Sequence, residues 1–336
     1  MLKQCVTCAL LQTRPPSEIV IVDASDDWQS NHNQIEALVG GSVPVRYLPA
    51  PVRSSTVQRN TGIRACSSDI CMLIDDDSLM HADCAEVIMT IYEADQEEEI
   101  LGIAGVEGPS PLTIPDVARK ESSGSSGRER QMTSSRFKAL LWRELFLMSR
   151  EANFIPYSGP VGSYVPEWAR EQGLNLVPAI QLPGCRMTIR RSAGLKEPFE
   201  PAFLSYSPGE DFDISYRLSR TGAICIAKSA RIYHHEVAAS RIRREQELVL
   251  SICNVAYLLR RHSPNLSRDK KRWVILMVRR VLAEFLKDGL SRRWRFPQWR
   301  ATFRAAALSQ RILALPETAD IAEQYAHIQR NILASK

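Results

Sequence analysis

The feature of the sequence that most limits its fold is a pair of short apolar runs, each of which ends at an acidic residue. Residues 19–22 are an unbroken β-branched run, and Asp23 follows it directly. Residues 70–74 form a second run, which continues into three acids: Asp75, Asp76 and Asp77. Continuous runs of this length are typical of parallel strands that are buried on both faces. We therefore expect a buried sheet whose strands end at carboxylates.

Segments with helical patterns separate these strands. The sequence predicts further strands over 45–48 and 100–106, and helices over 2–11, 55–66 and 81–93. Ser54 or Ser55 is a suitable cap for the second helix, because its hydroxyl can accept a bond from a free backbone N–H. Residues 107–135 are rich in Pro, Gly and Ser and predict a loop, followed by a helix over 137–149. Alternating strands and helices imply a layered α/β sheet.

The distribution of charge divides the chain. The 336 residues carry a net charge of +5, but residues 241–336 hold 20 basic and 8 acidic residues, a net charge of +12. The remaining residues therefore carry −7. A basic tail on a mildly acidic body indicates an anionic partner such as phosphates, nucleic acid or a lipid surface. A solvated charged helix face is the alternative.

The cysteines and the apolar runs indicate a reduced, cytoplasmic protein. The eight cysteines lack the spacing of a secreted disulfide framework, and the pair Cys5 and Cys8 has no second pair to complete a zinc site. The longest apolar run, 273–278, ends at Arg279, far short of the ~20 residues that span a bilayer. We therefore expect free thiols and a location in the cytoplasm.

The acidic triplet predicts a metal site. Ligands of open α/β sheets bind beyond the carboxyl ends of the strands, and three adjacent carboxylates repel one another unless a counter-charge is present. A divalent cation that holds a diphosphate would supply this charge, and hard oxygen ligands suit Mg²⁺ or Mn²⁺. A solvated acidic turn is the alternative.

Six short motifs follow one another in an order that resembles family 2 glycosyltransferases. They lie at residues 22–27, 58–63, 73–77, 184–191, 209–217 and 230–235. The resemblance covers roughly residues 1–240 and implies a three-layer α/β/α GT-A (Rossmann-like) domain with a mostly parallel sheet. Residues 241–336 would then form a basic amphipathic helical tail.

The resemblance also implies roles on the donor side. Asp23 would contact the base or ribose, Asp76 would lie near the ribose, and Arg59 would line the nucleotide pocket. For Arg59, an arginine on a helix surface is the alternative. Asp75 and Asp77, which form an Asp-x-Asp motif, would hold Mn²⁺ or Mg²⁺ and the diphosphate.

One histidine and two further acids complete the implied site. One of His234 and His235 would be a metal ligand, because neighbours on a strand point to opposite faces and only one can take this role. The motif favours His234, and a packed or surface histidine is the alternative. Asp211 would be the general base, Glu210 would shape the acceptor site, and Asp213 would be structural. The alternative for the acids is a helix start, where negative charge is favourable.

The implied reaction is the inverting transfer of a sugar from a nucleotide-diphosphate donor to a glycan or lipid-linked acceptor. Polysaccharide biosynthesis for the cell envelope would be the setting. A catalytically impaired nucleotide-sugar-binding protein of the same fold is one alternative, and a nucleic-acid-binding protein that uses the basic tail is another, although no nucleic acid is expected as a partner. A nucleotidyltransferase also stays open.

Two regions depart from the family pattern or extend beyond it. The usual first strand is missing before Met1, so we expect a longer reading frame upstream or else a truncated form with weakened donor binding. In the tail, helically spaced apolar residues alternate with arginines, which suits peripheral contact with an anionic membrane at the inner face of the plasma membrane. The apolar part would consist of Val274, Val278, Leu282, Trp294 and Trp299. Packing of these residues on the catalytic domain is the alternative.

Overall fold

The structure is a computed structural model that describes residues 1–112, 163–205, 208–235, 243–316 and 320–334. It divides into two compact units. The first consists of Met1–Thr113, Gly162–Tyr206 and Glu210–Arg241, and the second includes Ile242–Lys336. The predicted division between residues 240 and 241 into a catalytic domain and a tail stays a prediction. Most of the predicted loop 107–135 and the whole predicted helix 137–149 lie outside the described residues.

The first unit alternates strands and helices. Its elements up to the first long gap are α1 (Leu2–Leu10), β1 (Ile19–Asp23), α2 (Trp28–Val39), β2 (Val45–Pro49), α3 (Ser55–Ala65), β3 (Ile70–Ile74), β4 (Ser78–Met80), α4 (Cys84–Ala94) and β5 (Ile100–Glu107). After the gap follow α5 (Glu167–Glu171), β6 (Leu176–Pro178), β7 (Arg186–Arg190), α6 (Arg191–Lys196), α7 (Glu210–Leu218) and β8 (Ala223–His234).

The strands form two hydrogen-bonded groups. β1 and β2 pair in parallel, and the larger sheet has the order β3-β7-β5-β8-β4, with β6 also paired to β8. In the larger sheet β5 and β8 are parallel, whereas β7 runs antiparallel to both of its neighbours. The sheet is therefore mixed, and the expectation of mostly parallel pairing needs this correction. β7 follows β6 and the connecting segment 179–185, rather than a right-handed crossover from β3 or β5, and it runs antiparallel to both of these strands.

Helices cover both faces of the larger sheet. On one face, Ile103 and Cys225 pack against Ile88 and Ile91 of α4. On the other face, their neighbours Ala104 and Ile224 pack with residues of α3, α6 and α7. Adjacent strand residues point to opposite faces, so the two cores require helices on both sides. The α/β/α layering expected for the fold is confirmed.

The strands β1 and β3 each have one strand partner among the described residues. β1 pairs with β2, and β3 pairs with β7. Among the described residues, side chains rather than a strand ladder connect β1 to its neighbours in the first unit. Gln58 of α3 donates a 2.7 Å bond to the Val22 carbonyl of β1, and Glu18, just before β1, accepts a 2.6 Å bond from the Ser67 amide, just before β3.

The second unit is helical from residue 244 onward. Its described helices are α8 (Arg244–His262), α9 (Leu266–Leu290), α10 (Pro297–Leu313) and α11 (Ile321–Ala334). They enclose large buried side chains such as Trp273, Tyr257 and Tyr325, and the last two rings stack at 4.3 Å. A helical C-terminal region was expected and is confirmed. Among the described residues, no helix is both long and apolar enough to cross a bilayer.

Candidate active site

Three side chains at the carboxyl edge of the larger sheet lie within reach of one cation. Asp75 and Asp77 follow β3, and His234 is the last residue of β8. The pairing of β4 with β8 brings them together, because it places Ser78 opposite His234. One ligand atom from each residue lies within 4.8 Å of the other two. The predicted convergence of these residues is therefore present, whereas their metal-binding role stays a prediction.

The His234 imidazole is held in place by an acid and a thiol. Its Nε2 lies 3.2 Å from Oδ1 of Asp77. Hydrogen bonds to Asp77 and to the Cys185 side chain raise the pKa of His234 to about 10. Among the described residues, His235 is not part of the cation-sized group; its backbone N–H donates to the Asp77 carbonyl at 2.9 Å.

The chemistry of this donor set fits Mn²⁺ or Mg²⁺. Two carboxylates supply hard, negatively charged oxygen ligands, and an imidazole nitrogen is a better ligand for Mn²⁺ than for Mg²⁺. The cluster is partly exposed, so it could also accept oxygen ligands from a diphosphate. Asp76 lies outside the group; burial and the charges of Asp77 and Asp75 raise the pKa of its carboxyl.

Asp23, at the end of β1, has a strongly bonded carboxylate. Its Oδ2 accepts from the Tyr47 hydroxyl at 2.6 Å and from the Asn31 amide at 3.1 Å, and its Oδ1 accepts from the Ser25 N–H at 2.7 Å. Burial works against ionisation, but the three donors outweigh it, so the pKa of Asp23 is lowered. The carboxylate is thus fixed and charged at this edge.

Arg59, on α3, lies at the centre of the candidate site with only 12% of its side chain exposed. It forms an ion pair with Glu210 and donates to Oδ1 of Asp75 at 2.8 Å and to the Gly184 carbonyl at 3.2 Å. Its guanidinium also lies over the Phe199 ring, 5.5 Å from the centroid. The alternative of an arginine on the helix surface is therefore wrong, while contact with a nucleotide stays a prediction.

The two acids at the start of α7 have different surroundings. Glu210 is buried, and desolvation together with the charges of Asp211 and Asp75 raises its pKa to about 7 against the opposing effect of Arg59. Asp211 is more accessible; its Oδ1 accepts from the Phe212 N–H at 2.9 Å and its Oδ2 lies 3.4 Å from the Gly184 nitrogen. The roles expected for the two acids stay predictions.

Asp213 faces away from this chemistry. It is buried and pairs with Arg217 at 2.8 Å, and Arg217 also binds Glu197 at 2.8 Å. These contacts tie α7 to the segment after α6, as a structural acid would.

Sequence reasoning missed two cysteines and a tyrosine. The Cys185 thiol bonds to His234, the Cys5 thiol lies 3.6 Å from the Asp75 carbonyl, and the Tyr47 hydroxyl binds Asp23. Cys185 lies within the motif at residues 184–191, and this position is the one sequence feature that could have indicated its role. Nothing in the local sequence around Cys5 or Tyr47 indicates these contacts, because each bridges distant segments.

Comparisons with known proteins agree with the resemblance over the first half of the chain. The family model described as "Glycosyl transferase family 2" matches residues 1–153. No curated protein matches the chain.

Solved structures that resemble the chain include three glycosyltransferases at low identity. S. aureus TarS 1–349 with UDP-GlcNAc has 13% identity and a TM-score of 0.49, over 98% of this chain and 84% of that one. The mannosyltransferase PcManGT from Pyrobaculum calidifontis, with GDP-Man and Mn²⁺, has 14% identity and a TM-score of 0.46, over 99% and 81%. GalNAc-T7 with UDP, GalNAc and Mn²⁺ has 10% identity and a TM-score of 0.46; 75% of this chain is covered but only 43% of GalNAc-T7. The family match covers residues 1–153, and over these residues the chain is similar to glycosyl transferase family 2.

Proposed function

We propose that the protein is a metal-dependent, inverting glycosyltransferase that uses a nucleotide-diphosphate sugar as donor. One observation carries the proposal: a cation-sized group of Asp75, Asp77 and His234 is connected through Arg59 to the acids that begin α7. Arg59 thereby contacts Asp75, one of the candidate metal ligands, and Glu210, which directly precedes the candidate base Asp211. The match of residues 1–153 to the family model supports the reaction type.

Each residue has a chemical task in this proposal. Asp23 would bind the base or ribose of the nucleotide, Asp76 would lie near the ribose, and Asp75, Asp77 and His234 would hold Mn²⁺ or Mg²⁺. When bound, the cation would supply positive charge for the leaving diphosphate. Glu210 would shape the acceptor side through its ion pair with Arg59.

Asp211 would act as the general base. The acceptor hydroxyl oxygen forms a bond to the anomeric carbon while the bond from that carbon to the diphosphate oxygen breaks, and the hydroxyl proton passes to Asp211. A single displacement from the side opposite the leaving group inverts the anomeric centre. The accessibility of Asp211, in contrast to Glu210, supports this choice.

The acceptor would be a glycan or a lipid-linked sugar, in the synthesis of a cell-envelope polysaccharide. We place the protein in the cytoplasm, with peripheral contact to the inner face of the plasma membrane through the helical C-terminal region. A catalytically impaired nucleotide-sugar-binding protein of the same fold is the second candidate, because β1 and β3 each have one strand partner among the described residues.

Release of nucleoside diphosphate from UDP-glucose, UDP-N-acetylglucosamine and GDP-mannose, with and without Mn²⁺, tests the proposal. We expect Mn²⁺-dependent release from one donor, and at least about a tenfold loss of Mn²⁺ affinity in Asp77→Asn, because even outer-shell changes at metal sites cost this much. Asp83→Asn, an exposed acid at the start of α4, is the matched control and should behave as wild type.

Binding of a donor without any release would favour the impaired binding protein. Release that does not depend on Mn²⁺, or that is unchanged in Asp77→Asn, would contradict the proposed metal site.

A further inference from the structure

The helix α9 carries a second apolar face that is exposed among the residues the structure describes. Trp273, Leu276 and Met277 point into the core of the second unit. On the other side, six large apolar side chains are between 44 and 55% exposed: Val274, Ile275, Val278, Leu282, Phe285 and Leu286. Their spacing places them along one stripe of the helix. A contiguous apolar stripe of this kind marks an interaction site.

Aromatic rings extend the stripe between the end of α9 and the start of α10. Phe285 stacks on Phe296 at 5.0 Å, and Trp299 packs edge-on against both. Trp294 is 73% exposed and Phe303 is 60% exposed. Exposed tryptophans beside phenylalanines are typical of side chains that enter the headgroup region of a bilayer, because their rings are apolar with a polar edge.

All exposed charges among residues 269–312 are positive. The acids between residues 269 and 312 are Asp269, Glu284 and Asp288, and their exposed fractions are 0, 6 and 0%. Asp288 is used internally, since its Oδ2 accepts from the backbone of Gln298 and Trp299 at 2.9 and 3.0 Å. The exposed basic residues in this range are Lys271, Arg272, Arg292, Arg293, Arg295, Arg300, Arg304 and Arg311. Within residues 269–312 the surface therefore offers apolar and cationic groups without an exposed anion.

We propose that this surface, the apolar stripe of α9 with Trp294 and its flanking arginines, binds the surface of an anionic lipid bilayer with α9 parallel to the membrane plane. Apolar side chains would enter the acyl boundary while the guanidinium groups contact lipid phosphates. The inference rests on the membrane contact proposed above and names the surface that makes it.

Charge complementarity favours lipid over the other occupants. A second copy of the chain would place one arginine-rich face against another, and like charges repel. A nucleic acid would pair with the arginines but would leave the aliphatic stripe in contact with phosphates or water. An anionic bilayer is complementary to both parts of the surface.

Sedimentation of the full chain with vesicles tests the inference. Vesicles of phosphatidylcholine alone are compared with vesicles in which phosphatidylglycerol makes up about one third of the lipid. We expect binding to the anionic vesicles only, weakened by salt. Arg292→Glu/Arg295→Glu should lower the affinity by at least about tenfold, since each basic residue contributes measurably at such a surface. Trp294→Ser should weaken binding and remove quenching of tryptophan fluorescence by brominated lipids.

Matched controls separate this surface from general charge and apolarity. Arg64→Glu/Lys196→Glu makes the same change of charge on exposed residues of the first unit, and Leu11→Ser removes another exposed apolar side chain. Both should bind vesicles as wild type does. No vesicle binding, or equal loss in the controls, would overturn the inference. So would self-association abolished by Trp294→Ser, or duplex DNA binding at the same salt that outcompetes the vesicles.

Donor cleavage measured in the same samples distinguishes the two proposals. If Arg292→Glu/Arg295→Glu loses vesicles but keeps Mn²⁺-dependent cleavage, both proposals stand. If wild type binds vesicles but cleaves no donor, the transferase proposal fails and the membrane surface stands.

Discussion

Arg59 is the residue on which the candidate site depends most. Its guanidinium neutralises Glu210 and Asp75, which are 151 and 16 residues away in sequence, and it also binds the Gly184 carbonyl. A guanidinium has five donors in a fixed plane, so it can bind these three acceptors from two nitrogens, whereas lysine would have to bind them from one. Gly184 leaves room for this contact, because a Cβ there would lie 2.6 Å from Oε1 of Glu210 and 2.9 Å from the guanidinium.

Replacing Arg59 should destabilise the protein through the acids it leaves behind. Arg59→Met removes the charge and leaves Glu210 buried without its partner, so we expect a loss of about 3–5 kcal/mol in the free energy of unfolding. Arg59→Met/Glu210→Gln should lose less than the sum of the two single changes. Urea unfolding of the four proteins measures this coupling. Additive losses would show that the ion pair does not couple these residues.

Asp211 should be required for transfer but not for donor binding. Asp211→Asn keeps the shape of the side chain but cannot accept the acceptor's proton, and a general base contributes ~10²–10⁴-fold to the rate. We therefore expect transfer to fall by that factor while the Kd for the donor stays nearly unchanged, measured by calorimetry. Asp213→Asn is the less suitable control because Asp213 is buried in an ion pair; Asp83→Asn should retain activity. Transfer within a fewfold of wild type in Asp211→Asn would exclude Asp211 as the base.

For single residues, the sequence motifs predict which groups meet at the candidate metal site but not the ion pair between Arg59 and Glu210. Asp75, Asp77 and His234 come together as predicted, because two strand ends at one sheet edge bring them there. The burial of Arg59 could not be predicted: a lone arginine on a helix is usually solvated, and its partner lies on another element.

Among the elements, the parallel pair β5 and β8 contains an irregularity beside the site. The register shifts between Gly105 and Val106, and beyond the shift Val106 lies opposite Arg231 and Glu107 opposite Ile232. A Cβ on Gly105 would lie 2.7 Å from the Ala230 carbonyl oxygen, which is backbone and cannot rotate away. The shift changes how the last residues of β8, which lead to His234, are aligned with β5.

Gly105→Ala should therefore lower stability, by about 1–3 kcal/mol, as overpacked cores do. Gly62→Ala is the matched control, because Gly62 lies within α3 and its added Cβ would meet only the Val22 side chain at 3.8 Å. The control should be neutral or more stable by up to about 1 kcal/mol, since alanine favours helix. Thermal unfolding of both variants gives the comparison, and a Gly105→Ala protein as stable as wild type would show that the strands separate easily there.

The sequence predicts the elements of the first unit better than their pairing. The predicted strand over 70–74 coincides with β3, and Ser54 caps α3 as expected, accepting from the Val57 N–H at 3.4 Å. The helix α2 was not predicted; most of its residues are polar, and only Ile35 and Val39 are buried. Strand direction is not encoded locally: an apolar run reads the same in a parallel and an antiparallel ladder, so β7 was not predicted as an antiparallel strand.

For the whole molecule, the sequence predicts that the basic charge is concentrated in residues 241–336, but it does not decide whether the apolar residues of this region are packed or exposed. Helical spacing identifies Val274, Val278 and Leu282 as one stripe, yet the same spacing serves an internal core or an exposed face. The structure leaves these three and Trp294 exposed, while Trp299 is half-buried. Only the positions of the other helices decide which side of α9 is covered, and those depend on contacts such as the bond from Trp273 to Ser309 at 2.8 Å.

Ligand binding at the candidate site should stabilise the whole protein in a way that depends on the metal ligands. A ligand that binds only the folded state adds about 2.7 kcal/mol when its concentration is a hundred times its Kd. We expect Mn²⁺ together with UDP or GDP to raise the unfolding temperature, and removal of Mn²⁺ by EDTA to reverse the increase. Hydrogen exchange should slow at the amides of 70–74 and near the end of β8, where Asp75 and His234 lie.

Two variants, Asp77→Asn and Asp83→Asn, test whether the rise in unfolding temperature depends on the candidate metal ligands. Asp77→Asn removes one of the three candidate ligands, so the increase in unfolding temperature should disappear, whereas Asp83→Asn should retain it. Mn²⁺ alone should give a smaller increase than Mn²⁺ with the nucleotide, because the diphosphate supplies further oxygen ligands to the cation. An increase that persists in Asp77→Asn would place the cation elsewhere. An increase with nucleotide that EDTA does not reverse would mean that the nucleotide binds without a cation, through residues such as Asp23 at the end of β1.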